Sequence, residues 1–187
     1  MRIVIIDNYD SFTYNLSHII KELDAHVTVL HNDNFNIGDL EHFDKIMISP
    51  GPGVPSDTRM LNDIITTYTD RKSIFGICLG HQAIGEAFGA RLENLPNVFH
   101  GIATIGTQFG NDPIFNGCDR HIAMGRYHSW VVSKENFPQC LEITAESDEG
   151  HIMALRHRKY DVRGIQFHPE SVLTPDGRKI ISNWITE

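Results

Sequence analysis

The first half of the chain alternates short apolar runs with segments of helical period, and that alternation limits the possible folds more than any other feature. Residues 2–7, 26–30, 45–49 and 73–78 are compact runs rich in Ile and Val, the pattern of strands buried on both faces. Among them, Leu16, Ile19, Ile20 and Leu23, then Met60, Leu61, Ile64 and Ile65, recur at helical spacing, and a third helix is expected over 80–90. Asp10 or Ser11 is placed to accept the first free N–H groups of the first helix. Parallel neighbours need crossover connections, which are right-handed almost without exception. The expected class is therefore α/β, an open, mostly parallel twisted sheet with helices on both faces.

The second half has another grain. Strands are expected over 98–108, 121–133, 141–147, 151–157 and 162–167, joined by short turns, as antiparallel additions to the sheet. A last helix over 178–185 follows the turn at Pro175-Asp176-Gly177. With 187 residues, no internal repeat and no linker-like stretch, residues 1–187 read as a single domain. Sixteen Lys and Arg against 24 Asp and Glu give a net charge of −8 with histidine neutral, which argues against nucleic acid and anionic membrane surfaces as partners. The apolar run at 3–6 is too short for a signal-peptide core, and nothing in the chain approaches a membrane span. Cys78, Cys118 and Cys140 are too few, and odd in number, for a disulfide framework, so a reducing cytoplasm is the expected location.

Chemistry concentrates at Gly76-Ile77-Cys78-Leu79-Gly80. This G-x-nucleophile-x-G spacing marks an elbow, where a strand turns sharply into a helix and the central side chain projects from the bend. Side chains at the two glycines would collide across so tight a turn. The helix that begins there directs its partial positive end at the sulfur, which favours thiolate, and its free amides can hold an oxyanion. A free cysteine is more often a small buried hydrophobe. The strand before Cys78 and the helix after it set it apart from Cys118 and Cys140, which read as structural.

A thiolate nucleophile needs a base, and His168 in Phe167-His168-Pro169-Glu170 is the most pointed candidate. In extended chain, residues two apart share a face, so Glu170 can orient the imidazole and stabilise its charged form. His128, in Arg126-Tyr127-His128-Ser129-Trp130, competes on sequence alone; the carboxylate beside His168 tips the choice. No CxxC or HExxH pattern supplies further ligands for a metal, so none is expected. Pro50-Gly51-Pro52-Gly53 ends the third strand, and loops at the carboxyl ends of adjacent parallel strands share one crevice. It reads either as a rigid turn or as a loop aiming backbone N–H groups at the same site. Residues 7–11 end the first strand on that edge too.

Taken in order, Pro50-Gly51-Pro52-Gly53, Gly76-Ile77-Cys78-Leu79-Gly80-His81-Gln82 and Phe167-His168-Pro169-Glu170-Ser171 resemble the motifs of the class I, or triad, glutamine amidotransferases, over essentially the whole chain. Residues 7–15, Asp7-Asn8-Tyr9-Asp10-Ser11-Phe12-Thr13-Tyr14-Asn15, are similar to the opening of the glutamine-handling subunits of anthranilate synthase and aminodeoxychorismate synthase. The resemblance implies a Cys78, His168, Glu170 triad, an oxyanion hole from the N–H groups of Gly53 and Leu79, and glutamine contacts from Gly51, Pro52, Gly53, Gln82, Ser129 and Trp130. It implies hydrolysis of L-glutamine without a cofactor, with ammonia passed to a separate chorismate-using synthase subunit in a hetero-oligomer. Trp130 stands where the family commonly has Leu, and Ile102 follows His100-Gly101 where Lys is common. The competing readings are a stand-alone cysteine hydrolase, the amidotransferase subunit of another synthase, and a non-catalytic binding subunit.

Overall fold

The apolar runs become strands covered from both sides. The computed structural model describes residues 1–110 and 112–187, apart from the Arg59 side chain. In its first half are strands β1 (Arg2–Asp7), β2 (His26–His31), β3 (Lys45–Ile48), β4 (Ser73–Ile77) and β5 (Leu92–Asn94). The second half supplies β6 (Ile102–Gln108), β7 (His121–Arg126), β8 (Trp130–Val132), β9 (Leu141–Ser147), β10 (Ile152–His157) and β11 (Val162–Ile165). Nine of these form one sheet in the order β2-β1-β3-β4-β11-β10-β9-β6-β7, while β5 and β8 make a separate two-stranded ribbon. From β2 to β11 every neighbour is parallel; beyond β11 every neighbour is antiparallel.

Helices α1 (Thr13–Glu22) and α4 (Gly177–Thr186) cover one face, α2 (Arg59–Tyr68) and α3 (Leu79–Ala87) the other. Strand alternation sorts the side chains between these layers. Ile3, Ile5, Met47, Phe75 and Ile77 pack with Leu16, Ile20 and Trp184; Val4, Ile6, Ile46, Ile48 and Ile74 pack with Leu61, Ile64, Ile65 and Ile84. The expected α/β class and its antiparallel extension are both present. Among the described residues no helix is long and apolar enough to cross a membrane.

Five local expectations need correction. β11 is not an antiparallel addition: it reverses β10 through a short turn and so runs in the direction of β4, beside which it lies. The run 121–133 is two strands in different sheets, because the chain leaves β7 at Tyr127-His128-Ser129 before entering β8. β6 begins only at Ile102, and β11 ends at Ile165, short of Phe167. Asp10 binds the Phe12 N–H at 2.8 Å, just outside α1 rather than within its first turn.

Three contacts fix the seat of α3. A Cβ at Gly76 would collide with the Gly80 carbonyl, and one at Gly80 would come within 2.5 Å of the Ile48 carbonyl oxygen. Gly164, the β11 partner of Gly76, has the His81 Cα where a Cβ would lie, at 2.9 Å. Gly76→Ala is expected to lower the free energy of unfolding by more than about 2 kcal/mol. Gly38→Ala, where a Cβ meets nothing within 4 Å, is expected to change it by less than about 0.5 kcal/mol. Urea denaturation of the two variants beside the parent protein checks this difference.

Candidate active site

β4 and β11 end side by side, with Ile77 opposite Ile165. The next residue, Cys78, donates its N–H to the Ile165 carbonyl at 2.8 Å and then turns to φ 51°, ψ −98° before α3 begins at Leu79. A non-glycine residue held in so sparsely populated a region costs about 1–3 kcal/mol, tolerated because the surroundings over-determine it. Here the glycines at 76 and 80 leave the chain no other path. Leu79 opens the helix, so its N–H has no intrahelical acceptor; the first intrahelical bond spanning the bend is from Gln82 N–H to the Cys78 carbonyl at 3.0 Å.

Beyond β11 the chain passes Gln166 and Phe167 to His168, whose N–H donates to the Gly125 carbonyl at 2.9 Å and whose own carbonyl accepts from Thr174 Oγ1 at 2.7 Å. His168 Nδ1 donates to Glu170 Oε1 at 2.6 Å, with both side chains almost wholly buried. This pair forms in a turn, since β11 has already ended, and not by strand alternation as the spacing suggested. The turn is held from below: any Cβ at Gly177 would overlap the Pro169 carbonyl. The imidazole lies 4.8 Å from the Tyr127 ring and edge-on to Phe12 at 6.2 Å, and Nε2 has no aligned hydrogen-bond partner. Burial opposes its positive charge, but the adjacent Cys78 sulfur and then Glu170 outweigh that and carry His168 up to about 10.

His128 is differently placed. Its Nε2 accepts from Arg126 Nε at 3.2 Å, so the ring proton sits on Nδ1 and is donated to the Trp130 carbonyl at 3.0 Å. Burial, with the Arg126 charge second, pushes it down to about 3. Neither ring nitrogen is free to take a proton from a thiol. Cys118 also contrasts with Cys78: burial, then Asp176, raises its thiol to about 11.

Cys78 lies in the wall shared by two cavities. The smaller, about 150 Å³, is lined by Gly51, Pro52, Gly53, Gln82, Ser129 and Trp130 together with Tyr127 and His128. The other, about 520 Å³, has His168, Tyr127 and the N-terminal segment Tyr9-Asp10-Ser11-Phe12 in its walls. Thus the residues expected to hold glutamine share one cavity with the sulfur, and His168 reaches that sulfur from the other. Asn8 ties the N-terminal segment to the proline-glycine loop, its side chain donating to the Ser49 carbonyl at 2.9 Å. Gly51 lets that loop approach, since a Cβ there would lie 2.5 Å from the Asn8 Cβ. Gly53 adopts φ +76°, the left-handed conformation open to glycine. Sequence reasoning missed the surroundings of Cys78 and His168: Tyr127 and Phe12 against the imidazole, and Gln166, whose Nε2 lies 3.5 Å from Cys78 Sγ. Position gave the available signal, since Gln166 directly precedes the Phe167-His168-Pro169-Glu170 motif and Tyr127 adjoins His128.

Sequence and fold match a known family. The chain belongs to the class I glutamine amidotransferases, whose family model, "Glutamine amidotransferase class-I", matches residues 4–187. Among its relatives, anthranilate synthase component 2 of Cyanophora paradoxa is 42% identical over 186 residues, covering 98% of this chain and 97% of the relative. Aminodeoxychorismate synthase component 2 of Escherichia coli K12 is 41% identical over 185 residues, 98% of each chain. A crystal structure from Thermoplasma acidophilum, assigned as a subunit of GMP synthase, shares 25% identity and a TM-score of 0.90, covering 100% of this chain and 92% of that one.

Because Cys78 and Glu170 are what raise His168, Cys78→Ala and Glu170→Gln are each expected to lower its titration midpoint, and together to lower it further. The folded midpoint lies above the ordinary value of 6.5, so the stabilisation is complete below about 6.5 and is lost as pH rises through about 10. His128, with a lowered midpoint, is expected to stay neutral from pH 5 to 8. Nitrogen-15 NMR of the histidine rings resolves all three expectations.

Proposed function

We propose that this chain hydrolyses L-glutamine at Cys78 and passes the ammonia to a separate synthase subunit that aminates chorismate. The observation that carries the reading is the position of Cys78 between a cavity of glutamine-sized polar lining and the buried His168–Glu170 pair. In the first step the Cys78 sulfur attacks the side-chain carboxamide carbon. The N–H groups of Leu79 and Gly53 hold the oxyanion that forms. As the C–N bond breaks, His168 Nε2 gives a proton to the departing nitrogen, leaving a glutamyl thioester and ammonia. Water then loses a proton to His168 and attacks the thioester carbon, releasing glutamate and restoring the sulfur. Glu170 keeps the imidazole oriented and offsets its charge throughout.

Gln82 has a restricted part in this scheme. Both hydrogens of its amide are taken, by the Trp130 carbonyl at 2.9 Å and by Gln166 at 3.2 Å. Its oxygen is what remains to receive the substrate, and it suits the α-ammonium of glutamine. Gly51, Pro52, Ser129 and Trp130 complete the contacts, Trp130 through its backbone, so the indole in place of the family's common Leu does not alter binding.

Support for chorismate as the acceptor comes from the relatives named above and from the segment 7–15, which flanks the second cavity. That cavity is the side from which the synthase receives ammonia. Thiolate chemistry fits a cytoplasmic setting, and all three cysteines are free. A glutaminase left running alone would release ammonia to water as ammonium, so activity is conditional on the partner: docking selects the active arrangement of the Gly51-Pro52-Gly53 loop.

With the synthase and chorismate present, amide-labelled glutamine is expected to place its nitrogen in anthranilate or aminodeoxychorismate, each assayed directly. Cys78→Ala is expected to abolish this transfer while leaving synthesis from free ammonia intact. Glu170→Gln is expected to slow it by roughly a hundredfold to ten-thousandfold. Glutamine turnover at equal rates with and without the synthase would contradict the conditional activity, and full turnover by Cys78→Ala would remove the nucleophile.

A further inference from the structure

The sulfur of Cys78 has a polar neighbour besides the imidazole. Gln166, fully buried one residue past β11, places its Nε2 3.5 Å from Cys78 Sγ. The direction of this contact is dictated from outside. The Trp130 backbone carbonyl can only accept, so the Gln82 atom 2.9 Å from it is the NH₂ group. The second hydrogen of that group meets Gln166 at 3.2 Å, and the Gln166 atom there must be its oxygen. Gln166 is thereby left with its own NH₂ turned to the sulfur. The Trp130 carbonyl is fixed in turn by His128 Nδ1–H, whose tautomer is set by the Arg126 Nε–H on the other ring nitrogen. Arg126, with no exposed surface, is anchored to Glu149 at 2.9 Å.

We propose that Gln166 stabilises Cys78 as a thiolate by donating a hydrogen bond to its sulfur, and that Gln82, the Trp130 carbonyl, His128 and Arg126 are positioning groups that keep the Gln166 amide from flipping. The inference rests on Cys78 being the nucleophile. A thiol sulfur is a weak acceptor and a thiolate a strong one, so a donor fixed at the sulfur favours the ionised form. An amide is neutral at every working pH, so this support persists where His168 has lost its proton. A flipped Gln166 would set its carbonyl oxygen against the sulfur and bring two NH₂ groups face to face with Gln82. A hydrogen bond to a charged group shifts an ionisation equilibrium about tenfold.

The test is the pH profile of Cys78 alkylation by iodoacetamide in the full chain, followed peptide by peptide so that Cys118 and Cys140 are read separately. Gln166→Met, which keeps the length and removes the donor, is expected to move the midpoint of the profile up by about one pH unit. Its plateau rate should not fall, because a less stabilised thiolate is the better nucleophile. Gln166→Glu, nearly isosteric, is expected to move the midpoint up further and serves if the Met variant does not fold. An unmoved midpoint, or a lowered plateau at an unmoved midpoint, would overturn the proposal, the latter marking a packing effect alone. Labelling by a diazoketone analogue of glutamine separates the two layers. Failure of Cys78 to react in the parent protein with its synthase would remove the nucleophile reading itself, whereas labelled Cys78 with an unmoved midpoint removes only the part given to Gln166.

Discussion

Helix α3 lies so close to β4 and β11 that neither Gly76 nor Gly164 has room for a side chain, and Gly80 is pressed in turn against β3. This three-way contact determines where everything else can be. It forces the chain to turn at Cys78 through a conformation that costs a non-glycine residue free energy. It also holds β11 in parallel register with β4, so the segment that follows β11 emerges beside the elbow. Nearly ninety residues separate Cys78 from His168 along the chain, and a single strand pairing removes that separation.

What surrounds the sulfur is arranged by charge and by hydrogen-bond direction more than by shape. Of the histidines in the walls of its two cavities, His168 and His128 are driven in opposite senses. His168, backed by Glu170, is held protonated; His128, backed by the Arg126 guanidinium, is held neutral with its proton pinned toward Trp130. One is free at Nε2 and the other has no free nitrogen. The same residue type thus serves two ends, and the partner behind each ring decides which.

Much of this was legible from residues alone. The alternating apolar runs specify a parallel sheet because strands covered by helices on both faces need apolar side chains at consecutive positions, as Ile3 to Ile6 have. The elbow was legible because its glycines answer a steric demand that no other residue meets. The break at Tyr127-His128-Ser129 was not, because no glycine or proline falls within it and the segments on either side are β-forming; it leaves the sheet to line the cavity. Nor was the parallel direction of β11, since direction depends on how many reversals precede a strand and not on its own residues. The parts of Gln166 and Arg126 are longer-range still. Each depends on partners far along the chain, Cys78 for the first and Glu149 for the second.

The chemistry proposed here has one covalent intermediate, a glutamyl group on a single sulfur, and its detection is the most direct test. Protein mixed with glutamine and its synthase, quenched in acid within the first turnovers and digested, is expected to yield the Cys78 peptide heavier by one glutamyl group. The adduct should accumulate further when His168 is replaced by a residue that cannot activate water, provided acylation is still measurable. Glutamine consumed at full rate with that peptide unmodified at every quench time, and Cys78 inert to glutamine-like electrophiles, would contradict it.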